Sequence, residues 1–203
     1  MLAACAPPAV EEPTDALEDP VDEVEEVEPA DEEPAAPDGE EPAAPEDEEP
    51  ATEPLAGEPS TGESSTDGEH GTLAVTDVRV ATHDGFDRIV FELEGDGVAG
   101  WHVGYVDEPL AQGSGHPVDV EGEAVLAIAV RSVTLPPELP DEIEVWDRDV
   151  LTGAEGGVVV EVVNDTIFEG QHTLFAGLDA ERPFLVERFE DPQRIVIDVF
   201  HDT

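Results

Sequence analysis

Six histidines and 53 acidic residues are the side chains of this sequence that could perform acid–base or metal chemistry. The histidines form no short-spaced pair of the kind found in zinc sites, so local spacing does not indicate a zinc centre. Three histidine segments could still converge in the folded chain, and for these we expect ordinary surface or partly buried positions. They are His83-Asp84, His172 and His201-Asp202.

Calcium is a second possibility, because it requires several oxygen ligands at once. Two acidic clusters could supply them, and neither follows the spacing of an EF-hand loop. A solvated acidic surface is the favoured explanation of both clusters, and calcium binding is the alternative. The clusters are Asp141, Glu142 and Glu144, and Asp147 with Asp149.

Nucleophilic catalysis is not indicated by the one serine that lies in a glycine-rich turn. Ser114 occurs in GSG rather than in the GxSxG pattern of a nucleophile elbow. The same loop contains no lysine and precedes no helical pattern, so it does not resemble a phosphate-binding loop. We therefore expect a protein that is not an enzyme, with no catalytic residue, no cofactor and no bound metal.

Exposed aromatic side chains are the remaining candidates for a binding site, since aromatic rings form platforms for sugars. In the segment EIEVWDR, strand alternation places Trp146 and Arg148 on the face opposite Ile143 and Val145. Trp146 should then point outward beside Arg148, and this pair is the leading candidate for ligand binding. The same alternation predicts an outward Phe175.

A second aromatic pair lies in the segment WHVGYV. Trp101 and Tyr105 share a strand face with Val103, whereas the opposite face is less apolar. We expect Trp101 to be part of the core. Trp101 and Tyr105 remain secondary candidates for ligand contact.

Composition divides the chain near residue 72. Residues 1–72 contain 25 acidic residues, most of the prolines, no Lys or Arg, and no Phe, Trp or Tyr. The motif EEPAAP begins at Glu32 and Glu40 and returns as EEPATE at Glu48. Such a segment cannot bury enough apolar surface to offset its chain entropy, so we expect residues 6–72 to be a disordered tether.

Strands are the elements that must position the candidate residues, because β-branched and aromatic residues alternate with polar ones after residue 72. Closely spaced strands separated by Gly, Pro and Asp clusters are typical of an all-β sandwich or barrel. We predict an all-β domain over residues 73–203. The predicted strands are 73–81, 87–94, 101–106, 123–131, 142–147, 157–167, 171–178, 183–190 and 194–201.

Two predicted strands resemble one another at a constant offset, DRIVFELEG from Asp87 and QRIVIDVFH from Gln193. Alternation places Ile89, Phe91, Leu93, Ile195, Ile197 and Val199 on a buried face and the charged residues on the other face. If the strands are antiparallel neighbours, opposite charges can face one another. The predicted pairs are Arg88 with Asp198, Val90 with Val196, and Glu92 with Arg194.

Four segments carry a resemblance to a known family: TDVRVATHDGFDRIVFELEG, WHVGYVDEPL, GSGHPVDVEGEAVLAIAV and FEGQHTLFAGLDAERPFLVERFEDPQRIVIDVF. They resemble the AMIN-like domain of lipoproteins from high-GC Gram-positive bacteria, a domain similar to the AMIN domain of cell-wall amidases. The resemblance covers about 73–203. It implies a sandwich of two small sheets and a targeting or wall-binding role without catalysis.

The single cysteine, Cys5, ends the sequence Leu2-Ala3-Ala4-Cys5, which resembles the end of a lipoprotein signal peptide. We expect residues 1–5 to be the remnant of such a signal, with Met1 a mis-assigned start and a lipid on Cys5. The protein would then lie on the extracytoplasmic face of the cell membrane, separated from it by the tether.

Charge restricts the partners of such a protein. The formal net charge is −46, whereas nucleic-acid binders and proteins that adsorb to anionic lipid show basic patches. We expect a monomer without a nucleic-acid partner that contacts the membrane only through the lipid on Cys5. Its domain would bind peptidoglycan or another wall glycan. The alternative is a docking module that positions an envelope enzyme by strand addition at an exposed sheet edge.

Overall fold

Alternating β-branched and polar residues form ten strands within residues 52–202, which are the residues that the computed structural model describes. Cys5 and the tether up to residue 51 lie outside this range. Among the described residues, no helix is long and apolar enough to span a bilayer. The strands are β1 Ser64–Thr66, β2 Leu73–His83, β3 Phe86–Gly95, β4 Gly100–Val106, β5 Ala124–Arg131, β6 Val150–Thr152, β7 Val159–Phe168, β8 Gln171–Leu178, β9 Phe184–Phe189 and β10 Arg194–Phe200, and a 3₁₀ turn spans Pro136–Glu138.

The strands form two antiparallel sheets, which confirms the predicted all-β fold. The larger sheet has the order β1-β4-β5-β8-β7-β6, and the smaller has the order β2-β3-β10-β9. Apolar side chains of both sheets pack into one core cluster. The small sheet contributes Leu73, Val75, Val78, Ile89, Phe91, Leu93, Phe184, Ile195, Ile197 and Val199, and the large sheet contributes Val103, Leu126, Ile128, Val130, Val159, Val162, Leu174, Ala176 and Leu178.

The predicted pairing of the two similar strands is confirmed. β3 and β10 are antiparallel neighbours, with Arg88 opposite Asp198 and Glu92 opposite Arg194. The alternation is also as predicted, because the residues assigned to the buried face belong to the core cluster, namely Ile89, Phe91, Leu93, Ile195, Ile197 and Val199. Arg88 and Asp198, on the opposite face of the small sheet, are also buried.

Residues 52–72, which we call the N-terminal strap, explain this burial. Arg88 donates two hydrogen bonds of 2.7 Å to the Asp198 carboxylate, and the backbone N–H of Leu55 donates a third to Asp198 Oδ2. Arg88 also donates to the carbonyl of Glu53. The strap therefore lies across the outer face of the small sheet at a buried ion pair.

The strap corrects the predicted boundary of the disordered segment, because residues 52–72 contact both sheets. Ser60 exchanges backbone hydrogen bonds with Phe184 of β9, and β1 pairs with β4. The composition also changes here, since Pro59 is the last proline before the sandwich. Residues 60–72 thus keep every backbone N–H that pairing at a sheet edge requires.

The predicted strand at 142–147 is wrong, and a short strand, β6, follows it instead. The backbone N–H of Trp146 donates to the carbonyl of Val75 at the edge of the small sheet. At that point the register of β2 shifts between Val75 and Asp77. A bulge interrupts the regular spacing of the backbone N–H and C=O groups along β2. The segment around Trp146 therefore cannot form further regular hydrogen bonds with β2 and does not become a strand.

Candidate functional site

The leading sequence candidate, Trp146, is buried, with a relative exposure of 6%. The outward orientation predicted for it is wrong, because the alternation of a regular strand does not apply to an irregular segment. Trp146 belongs to the core cluster, whereas Arg148 is exposed as expected. Trp146 and Arg148 therefore do not form a joint surface patch.

Phe175 is also buried, at 3% exposure, although it lies on the side of β8 opposite the core residues Leu174 and Ala176. The connection between β4 and β5, residues 107–123, folds over this outer face. Gln112 accepts a hydrogen bond from the Thr173 hydroxyl, and the carbonyl of Glu121 approaches Gly177 too closely to leave room for a Cβ. The prediction of an outward Phe175 failed because alternation does not show which face a long connection covers.

Trp101 and Tyr105 are partly buried and pack against the core from β4. The Trp101 indole donates to Ser64 Oγ of the strap at 3.0 Å. The Tyr105 hydroxyl donates to the carbonyl of Arg182 and accepts from its N–H, and burial raises the pKa of this phenol. Both polar atoms are thus used in holding the fold together.

The histidine segments do not converge on a common site. His201 contacts the buried carboxylate of Asp87, His83 stacks on Phe86, and His172 pairs with Asn164. Within residues 52–202, no group of three or more His, Cys, Asp or Glu side chains is arranged to hold a metal ion.

One cleft of about 260 Å³ brings together a candidate residue and a histidine. We call it the Trp146–His172 cleft. The connection between β5 and β6 supplies Pro136, Val145, Trp146 and Asp147, and the β7–β8 hairpin supplies Asn164, Asp165, Thr166, Ile167 and His172. The register shift of β7 between Asn164 and Thr166 lies at this cleft.

His172 is held in one orientation at the start of β8, where it pairs with Ile167 of β7. Its Nε2 lies 2.8 Å from Asn164 Oδ1, an oxygen that can only accept. Burial lowers the pKa of His172 to about 4, so the ring is neutral at pH 7. Nε2 therefore carries the proton, and Nδ1 is left as a hydrogen-bond acceptor.

Two residues that line this cleft each have a buried polar atom without a hydrogen-bond partner among the described residues, Trp146 Nε1 and His172 Nδ1. An indole nitrogen can only donate, and the unprotonated imidazole nitrogen can only accept. Buried polar groups are nearly always paired in folded proteins, so two unpaired atoms on residues of one cleft require an explanation. We call Trp146 Nε1 and His172 Nδ1 the orphaned atoms. The arrangement can hold a group that both accepts and donates a hydrogen bond.

The buried histidine predicts a pH dependence of stability. The folded-state pKa of about 4 lies below the ordinary value of 6.5, so the unfolded chain takes up a proton first as the pH falls. Stability is therefore lost between pH 6.5 and 4, by about 3 kcal/mol, since each pKa unit corresponds to roughly 1.4 kcal/mol. Urea unfolding at several pH values measures this loss.

His172→Leu should remove the contribution of His172 to the slope of the unfolding free energy against pH, because the variant has no group that titrates at this position. The exposed His116 provides the matched control, and His116→Leu should keep the slope of the parent chain. Equal slopes for the parent and His172→Leu between pH 6.5 and 4 would contradict the assignment.

His172 and Asn164 are the site residues that sequence reasoning missed. A signal was present for His172, because alternation in β8 places it on the same face as Leu174 and Ala176, which are core residues. A histidine on an apolar strand face is a buried polar group that needs a partner. The partner, Asn164, lies on the neighbouring strand, and its position depends on a register that the sequence does not reveal.

Comparison with known proteins places the cleft inside a recognised domain. A family model described as the AMIN-like domain matches residues 73–201. The match spans β2 to β10 and includes both orphaned atoms, whereas the strap precedes it. No curated protein and no solved structure matches the chain.

Proposed function

Because the chain belongs to the AMIN-like domain family, we propose that it binds a glycan of the cell wall without chemical change. AMIN-like domains are associated with the cell envelope, as peptidoglycan-associated or docking modules, and those of amidases are non-catalytic. The observation that carries the glycan proposal is the Trp146–His172 cleft, with its unpartnered donor and acceptor within the described residues. Sugars present hydroxyl and amide groups that can pair with both.

The docking alternative requires a sheet edge that can accept a strand. Within residues 52–202 the outer strands of the small sheet each carry a backbone contact, because Ser60 pairs with Phe184 of β9 and Trp146 donates to Val75 of β2. The outer strands of the large sheet are β1 and β6, and each is only three residues long. Such short edges offer few backbone groups to a partner strand, and we favour the glycan proposal for that reason.

We expect the full chain to sediment with purified peptidoglycan sacculi. A formal charge of −46 opposes electrostatic attraction to an anionic wall, so added salt should leave the bound fraction unchanged or raise it by screening repulsion. Loss of binding as salt increases would contradict a cleft-based mechanism. A chain that stays in the supernatant at every salt concentration would exclude the wall glycan as its ligand.

Membrane attachment through Cys5 completes the proposal. A lipid on this cysteine, followed by an acidic tether to the strap, would hold the sandwich at a distance from the membrane. The experiment expresses the chain behind a lipoprotein signal peptide and measures partitioning into a detergent phase. We expect the parent chain in the detergent phase and Cys5→Ser in the aqueous phase. Aqueous partitioning of both chains would contradict lipidation.

A further inference from the structure

We propose that the Trp146–His172 cleft binds the acetamido group of an uncharged N-acetylated sugar, an inference that rests on the glycan-binding function above. A secondary amide offers one C=O and one N–H. The Trp146 indole N–H can donate to the C=O, and His172 Nδ1 can accept from the N–H. One ligand group would thereby pair with both atoms that lack a partner within the described residues.

The fixed tautomer of His172 determines which groups fit. Asn164 Oδ1 keeps the proton on Nε2, so Nδ1 can only accept. A ligand that offers only acceptors would leave Nδ1 without a donor, and a ligand that offers only donors would leave the indole N–H without an acceptor. Leaving either atom unpaired in a buried site reduces affinity, so the cleft selects for a group with both functions.

The charges beside the cleft select against anionic sugars. Asp147 and Asp165 both line it, and the described part of the cleft wall contains no arginine. A carboxylate or phosphate on the ligand would meet two like charges there, whereas hydroxyl groups can donate to the same carboxylates. The expected ligand is therefore uncharged at the end that enters the cleft.

Entry requires a movement, because both orphaned atoms are closed off from solvent in this conformation. The connection between β5 and β6, residues 132–149, is long and contains only a 3₁₀ turn. Two backbone bonds fasten it to β2, from Thr134 to Leu73 and from Trp146 to Val75. Connections of this length in compact domains are often functional. Movement of this connection, which supplies Pro136, Val145 and Trp146 to the cleft, would open it to a ligand.

The experiment is a titration of the full chain, labelled with ¹⁵N at tryptophan and histidine, and followed by NMR. The chain has two indole signals, and Trp101→Phe assigns them. The probes are chitotriose, a neutral N-acetylated trisaccharide, and cellotriose, which has the same linkage but hydroxyl groups in place of the acetamido groups. We expect chitotriose to shift the Trp146 indole and His172 Nδ1 signals while the Trp101 indole stays in place.

Affinity for cellotriose should be at least tenfold weaker than for chitotriose. Trp146→Phe, which removes the indole N–H and keeps an aromatic ring, should weaken chitotriose binding about tenfold, whereas Trp101→Phe should leave it unchanged. If Trp146→Phe does not fold, the response of the His172 signals in the parent chain still tests the acetamido assignment. Equal shifts with both sugars would overturn the acetamido assignment.

The outcomes also separate this inference from the proposed function. Sedimentation with sacculi, combined with no shift of Trp146 or His172 by chitotriose, would overturn the cleft assignment and leave wall binding intact. Shifts by chitotriose without sedimentation would support the cleft and contradict wall binding by the whole chain. No shift by either sugar would overturn the acetamido assignment.

Discussion

Asp198→Asn should lower the free energy of unfolding by about 3–5 kcal/mol, the typical cost of removing one partner of a buried ion pair. The Asp198 side chain is fully buried and Arg88 nearly so, at 0% and 4% exposure. The variant keeps the size of the side chain but removes the charge that neutralises the guanidinium. Urea unfolding of the full chain at pH 7 measures the loss.

The chain contains a matched control for this change. Asp77 forms an ion pair with Arg79 at 3.6 Å, but both side chains are 42% exposed. Exposed pairs contribute at most about 1 kcal/mol, so Asp77→Asn should change the free energy of unfolding by less than that. Similar losses in the two variants would show that burial of the Arg88–Asp198 pair is not what makes it important.

Trp146→Ala should destabilise the protein by about 3–5 kcal/mol, because truncating a buried tryptophan removes apolar contacts and leaves a cavity. The indole contributes to the core shared by both sheets and closes one wall of the Trp146–His172 cleft. Thermal unfolding followed by circular dichroism, together with urea titration, measures the change.

Trp101→Ala is the comparison, since Trp101 is only partly buried at the edge of the same core. Its loss should be smaller than that of Trp146→Ala, even though the variant also removes the bond to Ser64 Oγ. The sequence alone predicts the opposite order, with Trp101 in the core and Trp146 on the surface. A larger loss for Trp101→Ala would therefore support the sequence-based assignment against the structure.

The sequence predicted the pairing of β3 and β10 because two independent signals agreed there. Apolar alternation fixed the face of each strand, and the opposite charges at Arg88, Glu92, Arg194 and Asp198 fixed the register. Most strand positions were predictable for the same reason. A strand with one buried face carries a periodic pattern that does not depend on distant residues.

The candidate site was not predictable in this way, because its burial depends on connections rather than on strands. Phe175 is covered by residues 107–123, and Trp146 lies in an irregular segment fastened to β2. Alternation assigns a side chain to one face of a sheet, but it does not show whether a loop crosses that face. Both aromatic residues were therefore predicted to be exposed and are buried.

The predicted boundary between the tether and the folded domain, at residue 72, was wrong because it was based on composition. The strap continues the acidic character of the tether, and its pairing partners lie on β4, β9 and β10, far along the chain. No local pattern in three residues such as β1 identifies a strand. The absence of proline after Pro59 was the available signal, and it permits edge pairing without requiring it.

The route of the strap determines how the sandwich would respond to mechanical load. A force applied at residue 52 reaches the contacts of Glu53 and Leu55 at the buried ion pair first, then Ser60 at β9, and then β1 at β4. These attachments would fail one after another rather than together. The 21 residues of the strap would then reach a full extended length of about 70 Å, at 3.3–3.6 Å per residue, before β2 came under tension. The strap would thus absorb mechanical work by detaching stepwise before the folded domain is loaded. The Trp146–His172 cleft would stay intact while the strap detaches.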